Sequence, residues 1–454
     1  MILQLMPAVA LVIGTSILAL MLWMSLVSFR ENERRAGIHA LLLSVTLPAP
    51  FMVSALVSFP HHEIVSAVLS ALAALFVIVL LFPVKASLPQ EDVPRRRFDE
   101  RDVIFSRRLL EPGTEKYREY YASRPETEAL DNRFRAKPGL LEKGAKYYDP
   151  LQFSAADASF TAVEQFAPIV DGRPATNRVE VHPERAARFI KSWTRILGAH
   201  STGITGLRDY HLYSTIGRGT DYGKKVALNH DFAIALTVEM DKSMMDHAPY
   251  GPTVMETARQ YLNAGAIAVQ VAQFIRNLGY SARAHIDGNY RVICPLVARD
   301  AGLGEIGRLG LLMTPRLGPR VRIAVVTTDM PLSLDTRTSD ASVIDFCRRC
   351  RKCAEVCPSR ALPFDDRRPL DGVLRWKLNS DACFAYWCAA GTDCGRCVRV
   401  CPYSHPDSLL HNLVRAGNRT SPFFREFALR MDDFFYGRKP PPLPVEEWMK
   451  GDRC

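Results

Sequence analysis

Cysteines in the C-terminal third are spaced for iron–sulfur chemistry. Cys347, Cys350, Cys353 and Cys357 form one run closed by Pro358, and Cys394, Cys397 and Cys401 form a second closed by Pro402. A cubane cluster needs four thiolates, and such short spacings let one stretch of backbone supply three while the Cys before Pro reaches the neighbouring cluster. One cluster then takes Cys347, Cys350, Cys353 and Cys401. The other takes Cys357, Cys394, Cys397 and one upstream thiolate, for which spacing leaves Cys383 and Cys388 both open. Zinc ribbons are built on Cys-x-x-Cys pairs and disulfides need an oxidising compartment. A doubled run with proline after each last cysteine fits neither. All 11 cysteines fall after residue 290, so their number reports metal rather than oxidation.

A cluster pair only passes electrons, so the chemistry must sit elsewhere. Residues 283–331 hold Gly302, Gly304, Gly307 and Gly310 close together, with turns at Thr314-Pro315 and Gly318-Pro319. Glycines at this density let backbone approach a large flat or phosphate-bearing ligand. Gly302-x-Gly304-x-x-Gly307 has the letters of the dinucleotide fingerprint, but the strand before it and the acidic residue after it are not clearly placed.

The elements that must hold these segments follow from periodicity. Residues 254–278 read as a helix with Ala264, Ala268, Val271, Ile275 and Leu278 on one face, stopped by Gly279-Tyr280. His182-Pro183-Glu184 opens another helix through residue 197, and residues 203–207, 232–239 and 321–328 read as strands. Alternating helices and strands make an α/β layer the economical fold, with a ferredoxin-like part on its carboxyl side.

Three runs without charge, 1–29, 36–59 and 64–84, are each long enough to cross about 30 Å of hydrocarbon. Pro48 and Pro50 are expected to kink the second. Arg30, Arg34 and Arg35 follow the first run and Lys85, Arg95, Arg96 and Arg97 follow the third, while residues 60–63 hold no Lys or Arg. The positive-inside rule then puts the soluble part in the cytoplasm, at an inner membrane. The first run has no basic start and no twin arginine, so it is expected to be an anchor and not a removed signal. Residues 87–149 are polar and rich in Arg and Glu, as expected of a juxtamembrane connector resting on anionic lipid.

The expected segmentation is a membrane anchor over 1–86, the connector over 87–149, a catalytic domain over 150–335, a two-cluster domain over 336–420 and a tail over 421–454. A composition of 48% apolar and 23% charged residues suits a globular protein. The net charge of +10 lies largely beside the spans and among the cluster cysteines without a nucleic-acid motif, so no nucleic-acid partner is expected.

Several motifs together resemble the cobalamin-dependent reductive dehalogenases. They are Ala301-Gly302-Leu303-Gly304-Glu305-x-Gly307-Arg308, Leu311-Leu312-x-Thr314-Pro315, Gly318-Pro319-Arg320-Val321-Arg322 and Thr328-Asp329-x-Pro331-Leu332, followed by the two cysteine runs. The related epoxyqueuosine reductases share the plan. The resemblance spans roughly residues 186–406 and implies a nitroreductase-like domain holding a corrinoid with its lower base detached, fed by two 4Fe-4S clusters. Gly302, Gly304, Gly307, Arg308 and Thr314 would then line the corrinoid site. The lead-in from Cys383 through Trp387 to Gly391-Thr392-Asp393-Cys394 favours Cys383 as the eighth ligand. Tyr261, near the start of the helix ending Ile275-Arg276-Asn277-Leu278-Gly279-Tyr280, corresponds to the family's proton donor. Arg322 would stabilise its anion, and His285 or Asn289 would fill the polar role beside it.

The Asp-x-His-x-x-Gly motif that supplies an axial histidine elsewhere is absent, because Ser214 stands where Asp209-x-His211 would need glycine. The implied substrate is a halogenated organic compound, and the implied electron donor a reduced ferredoxin, flavodoxin or quinol-linked carrier. Two rival readings are an epoxyqueuosine-reductase-like or other corrinoid enzyme, and a non-catalytic iron–sulfur subunit.

Overall fold

The structure, a computed structural model, describes residues 2–84, 86 and 93–450. Lys85 among the flanking cations, residues 87–92 at the start of the expected connector and residues 451–454 of the expected tail lie outside it. The chain divides into two compact units, Met1–Ser87 with Asp407–Pro440, and Leu88–Pro406 with Pro441–Cys454.

The first unit carries three stretches long and apolar enough to cross a membrane, Leu3–Arg30, Arg34–Leu56 and His62–Leu81. The second breaks into Arg34–Thr46 and Ala49–Leu56, because Pro48 has no N–H to continue the first piece and Pro50 suits the opening turn of the next. Small residues let the helices approach: Ala36 and Ala40 are buried, and Ser25 Oγ donates to Gly37 O at 2.9 Å. Two further helices, Leu409–Thr420 and Pro422–Tyr436, belong to this unit. This division falls at Pro406 and Asp407, ahead of the expected boundary at 420 and 421. The cluster-bearing part ends at Pro406, and the expected tail begins as a helix with Ser421 Oγ accepting from Phe423 N and Pro422 in its first turn.

The second unit is built around a four-stranded sheet in the order Ser201–Gly206, Phe232–Glu239, Val321–Thr328, Ala282–His285, with every pairing antiparallel. Both faces are buried, which is why Phe232–Glu239 has no polar alternation. Ile234, Leu236, Ala324 and Val326 pack with Ala264, Ala268, Val271 and Ile275 of the long helix Gly251–Asn277. Ala233, Ala235, Ile323 and Val325 pack on the other side with Val297 and Ala298 of the helix Cys294–Asp300. The alternating elements thus form a helix–sheet–helix layering, with an antiparallel sheet.

Residues 93–149, expected as a loose connector, fold onto this unit as the helices Ile104–Arg108, Glu115–Ala122 and Pro125–Arg135. One group of charges points inward: buried Arg107 donates to Asp131 at 2.7 Å and also to Asp381, two residues before Cys383. Gly139 N and Leu141 N donate to Cys388 O and Gly391 O, lacing the segment onto the helix Ser380–Ala390. Replacing Arg107 with Met would leave Asp131 buried without its ion-pair partner, held only by the Tyr121 hydroxyl among the described residues, at a cost of up to about 3–5 kcal/mol. Thermal unfolding should show a markedly lower midpoint for Arg107→Met, whereas Arg118→Met, which removes an exposed pair with Glu115, should change little. The Pro-rich end also returns to this unit, where Leu443 N donates to Asp246 O and Gln152 Nε2 to Met449 O.

Candidate active site

Alternation along Val321–Thr328 puts Arg322 on the same face as Ala324 and Val326, toward the long helix. On that helix Thr257 and Tyr261, one turn apart, meet it. Arg322 Nη2 donates to Thr257 Oγ1 at 2.7 Å, and its guanidinium stands 4.9 Å from the centre of the Tyr261 ring. Asp393, the residue before Cys394, completes the group: its Oδ2 accepts from Arg322 Nη2 at 3.1 Å and from Thr257 Oγ1 at 2.5 Å. Burial opposes the Arg322 charge, but Tyr261, Asp393, Asp287 and Tyr290 more than offset it and hold the guanidinium cationic. Burial raises the Tyr261 pKa above the ordinary phenol value against the pull of Arg322, so the ring keeps its proton at neutral pH.

Tyr261 and Arg322 open onto a cavity of about 190 Å³ that is partly open to solvent. Its lining adds Tyr213, Tyr290, Cys294 and an apolar wall that includes Val292, Pro295, Leu311, Leu312 and Pro319. No histidine is among the lining residues. Arg322 Nε and Asp393 Oδ1 are buried without a hydrogen-bond partner among the described residues. A flat, mostly apolar group with a few polar edges suits such walls.

Several expected site residues lie away from the cavity. His285 falls on the opposite parity of its strand from Ala282 and Ala284, so it points away from the long helix; its Nε2 meets Thr327 Oγ1 at 2.9 Å and its Nδ1 accepts from Arg291 N. Burial and then Arg283 push its pKa well below the usual value, leaving it neutral. Asn289 Oδ1 accepts from Arg283 and serves the turn. Gly302, Gly304, Gly307, Arg308 and Thr314 are not among the cavity's lining residues either. A Cβ at Gly304 would come within 2.2 Å of Met313 O, and one at Gly307 within 2.6 Å of the Met313 side chain. The glycines therefore admit the chain's own backbone and side chains. Buried Arg308 donates to the carbonyls of Cys347, Pro363 and Asp365 and braces the first cysteine run. Thr314 Oγ1 donates to Gly318 O in the turn that presents Leu311, Leu312 and Pro319 to the cavity.

The buried thiols gather in two sets. The Cys401 pKa is pushed well up by burial and then by Cys347, Cys350 and Cys353. Burial raises Cys383 to about 11, with Cys357 adding to it, and raises Cys394 to about 12, with Cys383 and Cys357 among its neighbours. Cys397 is raised by burial and then by Cys394, Cys383, Cys353 and Cys357. Cys388 instead packs in an apolar cluster with Ile104, Phe134 and Phe384. Among the described residues no three of these side chains converge as ligands of a single metal ion. A four-iron cube asks instead for thiolates spread over its corners, and crowded buried thiols suit that. The second set lies near the cavity: Cys397 and the lining Leu311 pack against the same cluster of Met240, Met245 and Val398, and Cys394 follows Asp393, which accepts from the lining Arg322.

Residues 346–405 match the model of a 4Fe-4S dicluster domain. A tetrachloroethene reductive dehalogenase of Desulfitobacterium hafniense (strain Y51) is 29% identical over 316 residues, 59% of this chain and 56% of the relative. One of Sulfurospirillum multivorans is 30% identical over 318 residues, 62% of each chain. The chain is homologous to the reductive dehalogenases. It spans little more than half the length of the first of these relatives. A solved reductive dehalogenase, whose structure is described as suggesting a mechanism for B12-dependent dehalogenation, superposes with a TM-score of 0.62 at 25% identity. That match covers 82% of this chain and 52% of that one. An epoxyqueuosine reductase of Pseudomonas aeruginosa is a more distant relative, 26% identical over 242 residues, 47% of this chain and 62% of the relative. The homology joins the two-cluster domain and the helix–sheet–helix unit in one known plan. Tyr213, Tyr290, Thr257 and Asp393 had no signal strong enough to single them out, although Thr257 lies one turn before Tyr261 and Asp393 directly before Cys394.

Proposed function

We propose that this chain is a membrane-anchored, corrinoid-dependent reductive dehalogenase that replaces carbon-bound halogen with hydrogen. The balance is R–X + 2 e⁻ + H⁺ → R–H + X⁻. The observation that carries the reading is the continuity from Cys394 through Asp393 and Arg322 to Tyr261 at one cavity. Asp393 of the cluster loop and Tyr261 there meet the same Arg322.

Cys347, Cys350, Cys353 and Cys401 would hold one 4Fe-4S cluster, and Cys357, Cys383, Cys394 and Cys397 the other. Val292, Pro295, Leu311, Leu312 and Pro319 would hold the corrinoid, which when bound supplies a strongly reducing cobalt centre. Tyr261 donates the proton to the substrate carbon, and Arg322 stabilises the phenolate left behind. Asp393 and Thr257 fix the guanidinium under the ring. The halogenated substrate occupies the tyrosine side of the cavity, and a reduced ferredoxin, flavodoxin or quinol-linked carrier supplies the electrons. The three spans anchor the enzyme in the inner membrane with the catalytic unit in the cytoplasm, as the flanking arginines direct.

Halide release from a panel of aryl and alkyl halides, driven anaerobically by reduced viologen across a pH series, tests this. Release is expected, with no alkaline loss traceable to Tyr261 until above the ordinary phenol pKa of about 10, because the donor stays protonated below its raised value. No halide from any member of the panel, or an alkaline limb near neutrality that Tyr261→Phe abolishes, would contradict it.

A further inference from the structure

The helix Leu409–Thr420 is turned inside out for a helix in water. His411 (6%), Arg415 (6%) and Asn418 (3%) are buried, whereas Leu409 (65%) and Leu413 (55%) are exposed, with Val414 beside them. Its neighbour Pro422–Tyr436 repeats the pattern, burying Arg425 and Asp432 and exposing Phe423 and Phe434. The spans do the same: Ser25, Ser28, Ser44, Ser54, Ser66 and Ser70 are buried while Leu42, Leu72 and Ile78 face outward. Water would favour the reverse arrangement, and hydrocarbon favours this one.

Contacts within this unit fix the depth. His411 Nε2 meets Glu31, the residue after the first span, at 2.9 Å. Phe434 stacks on His39, five residues into Arg34–Thr46, and Phe427 packs edge-on against Phe76, five residues before the end of His62–Leu81. Five residues of helix are about 7 Å, the depth at which amphipathic helices rest between headgroups and acyl chains. All three contacts lie at the end of the bundle carrying Arg30, Arg34 and Arg35.

We propose that Leu409–Thr420 and Pro422–Tyr436 form an interfacial hairpin whose outer face, Leu409, Leu413, Val414 and Phe423, lies against lipid acyl chains on the arginine-bearing side of the membrane. The inference rests on the reading of the three spans as membrane-crossing. Buried polar groups tie the hairpin to the bundle, while apolar side chains seat it in the bilayer. The anchor is then a five-part assembly of the three spans and these two helices.

Photo-crosslinking in nanodiscs of phosphatidylethanolamine and phosphatidylglycerol tests it on the full chain. p-Benzoylphenylalanine is placed in turn at 409, 413 and 423, at 72 on the third span and at 118 on the other unit, and adducts are read by mass. Phospholipid adducts are expected at 409, 413, 423 and 72, but not at 118. Adducts at 72 with none at 409, 413 and 423, or crosslinks from those three to a second copy or another protein, would overturn the hairpin's lipid contact while leaving the spans in place. Failure at 72 as well would remove the spanning reading and the inference with it.

Discussion

Replacing Tyr261 with Phe is expected to lower kcat for halide release by about 10²–10⁴-fold, the range that a positioned proton donor contributes. Among the described residues no protein group hydrogen-bonds the Tyr261 hydroxyl, so its removal should leave fold, iron content and corrinoid content unchanged. The ring itself keeps its place over Arg322 and beside Phe160. Arg322→Gln should share the loss of rate and add a loss of stability. It strips Asp393, buried and held by Thr257 and Arg322, of its only charged partner among the described residues. The two variants therefore separate a chemical role from a structural one. Equal thermal midpoints for wild type and Tyr261→Phe, with a lowered midpoint for Arg322→Gln, are the expected pattern. Full turnover by Tyr261→Phe would move the proton donor elsewhere, with Tyr290 the next phenol on the cavity wall.

Cys383→Ala is expected to lower iron from about eight to about four per chain and to reduce dehalogenation to background, because it opens the set that lies near the cavity. Cys388→Ala should keep all the iron. It trims a buried side chain from the cluster of Ile104, Phe134 and Phe384 and should cost about 1–2 kcal/mol of stability. Although only five residues apart on one helix, the two cysteines face different surroundings: Cys383 turns to Cys357 and Cys394, and Cys388 to the segment covering residues 104–134. Anaerobic iron analysis of both variants checks this, and loss of iron from Cys388→Ala with none from Cys383→Ala would reverse the assignment.

What was legible in the sequence was whatever repeats or alternates locally. The strand at 232–239 has the bounds expected of it, and the long helix begins only three residues before the expected start at 254. The two cysteine runs were legible because their spacing marks a cluster-binding domain, and residues 346–405 match a 4Fe-4S dicluster model. What stayed hidden depended on distant partners. Residues 93–149 looked like a connector because side chains such as Arg107 and Asp131 are polar, yet these two pair with each other and Arg107 with the distant Asp381. His285 looked available because its position in a strand, and hence the face it occupies, was not read. The glycines from 302 to 307 promised room for a ligand, but Met313 fills the space beside Gly304 and Gly307. The C-terminal helices were hidden for a related reason: their apolar faces are short, and their buried charges look like surface until the spans are placed beside them.

The central claim is that electrons entering this chain end on a corrinoid at the Tyr261 cavity. Anaerobic purification of the full chain, followed by cobalt and iron analysis of the same sample, tests it most directly. About one cobalt and about eight iron per chain are predicted, with the cobalt extractable as an intact corrinoid. Eight iron with no cobalt, in cells supplied with corrinoid, would contradict the claim and leave the chain an electron carrier.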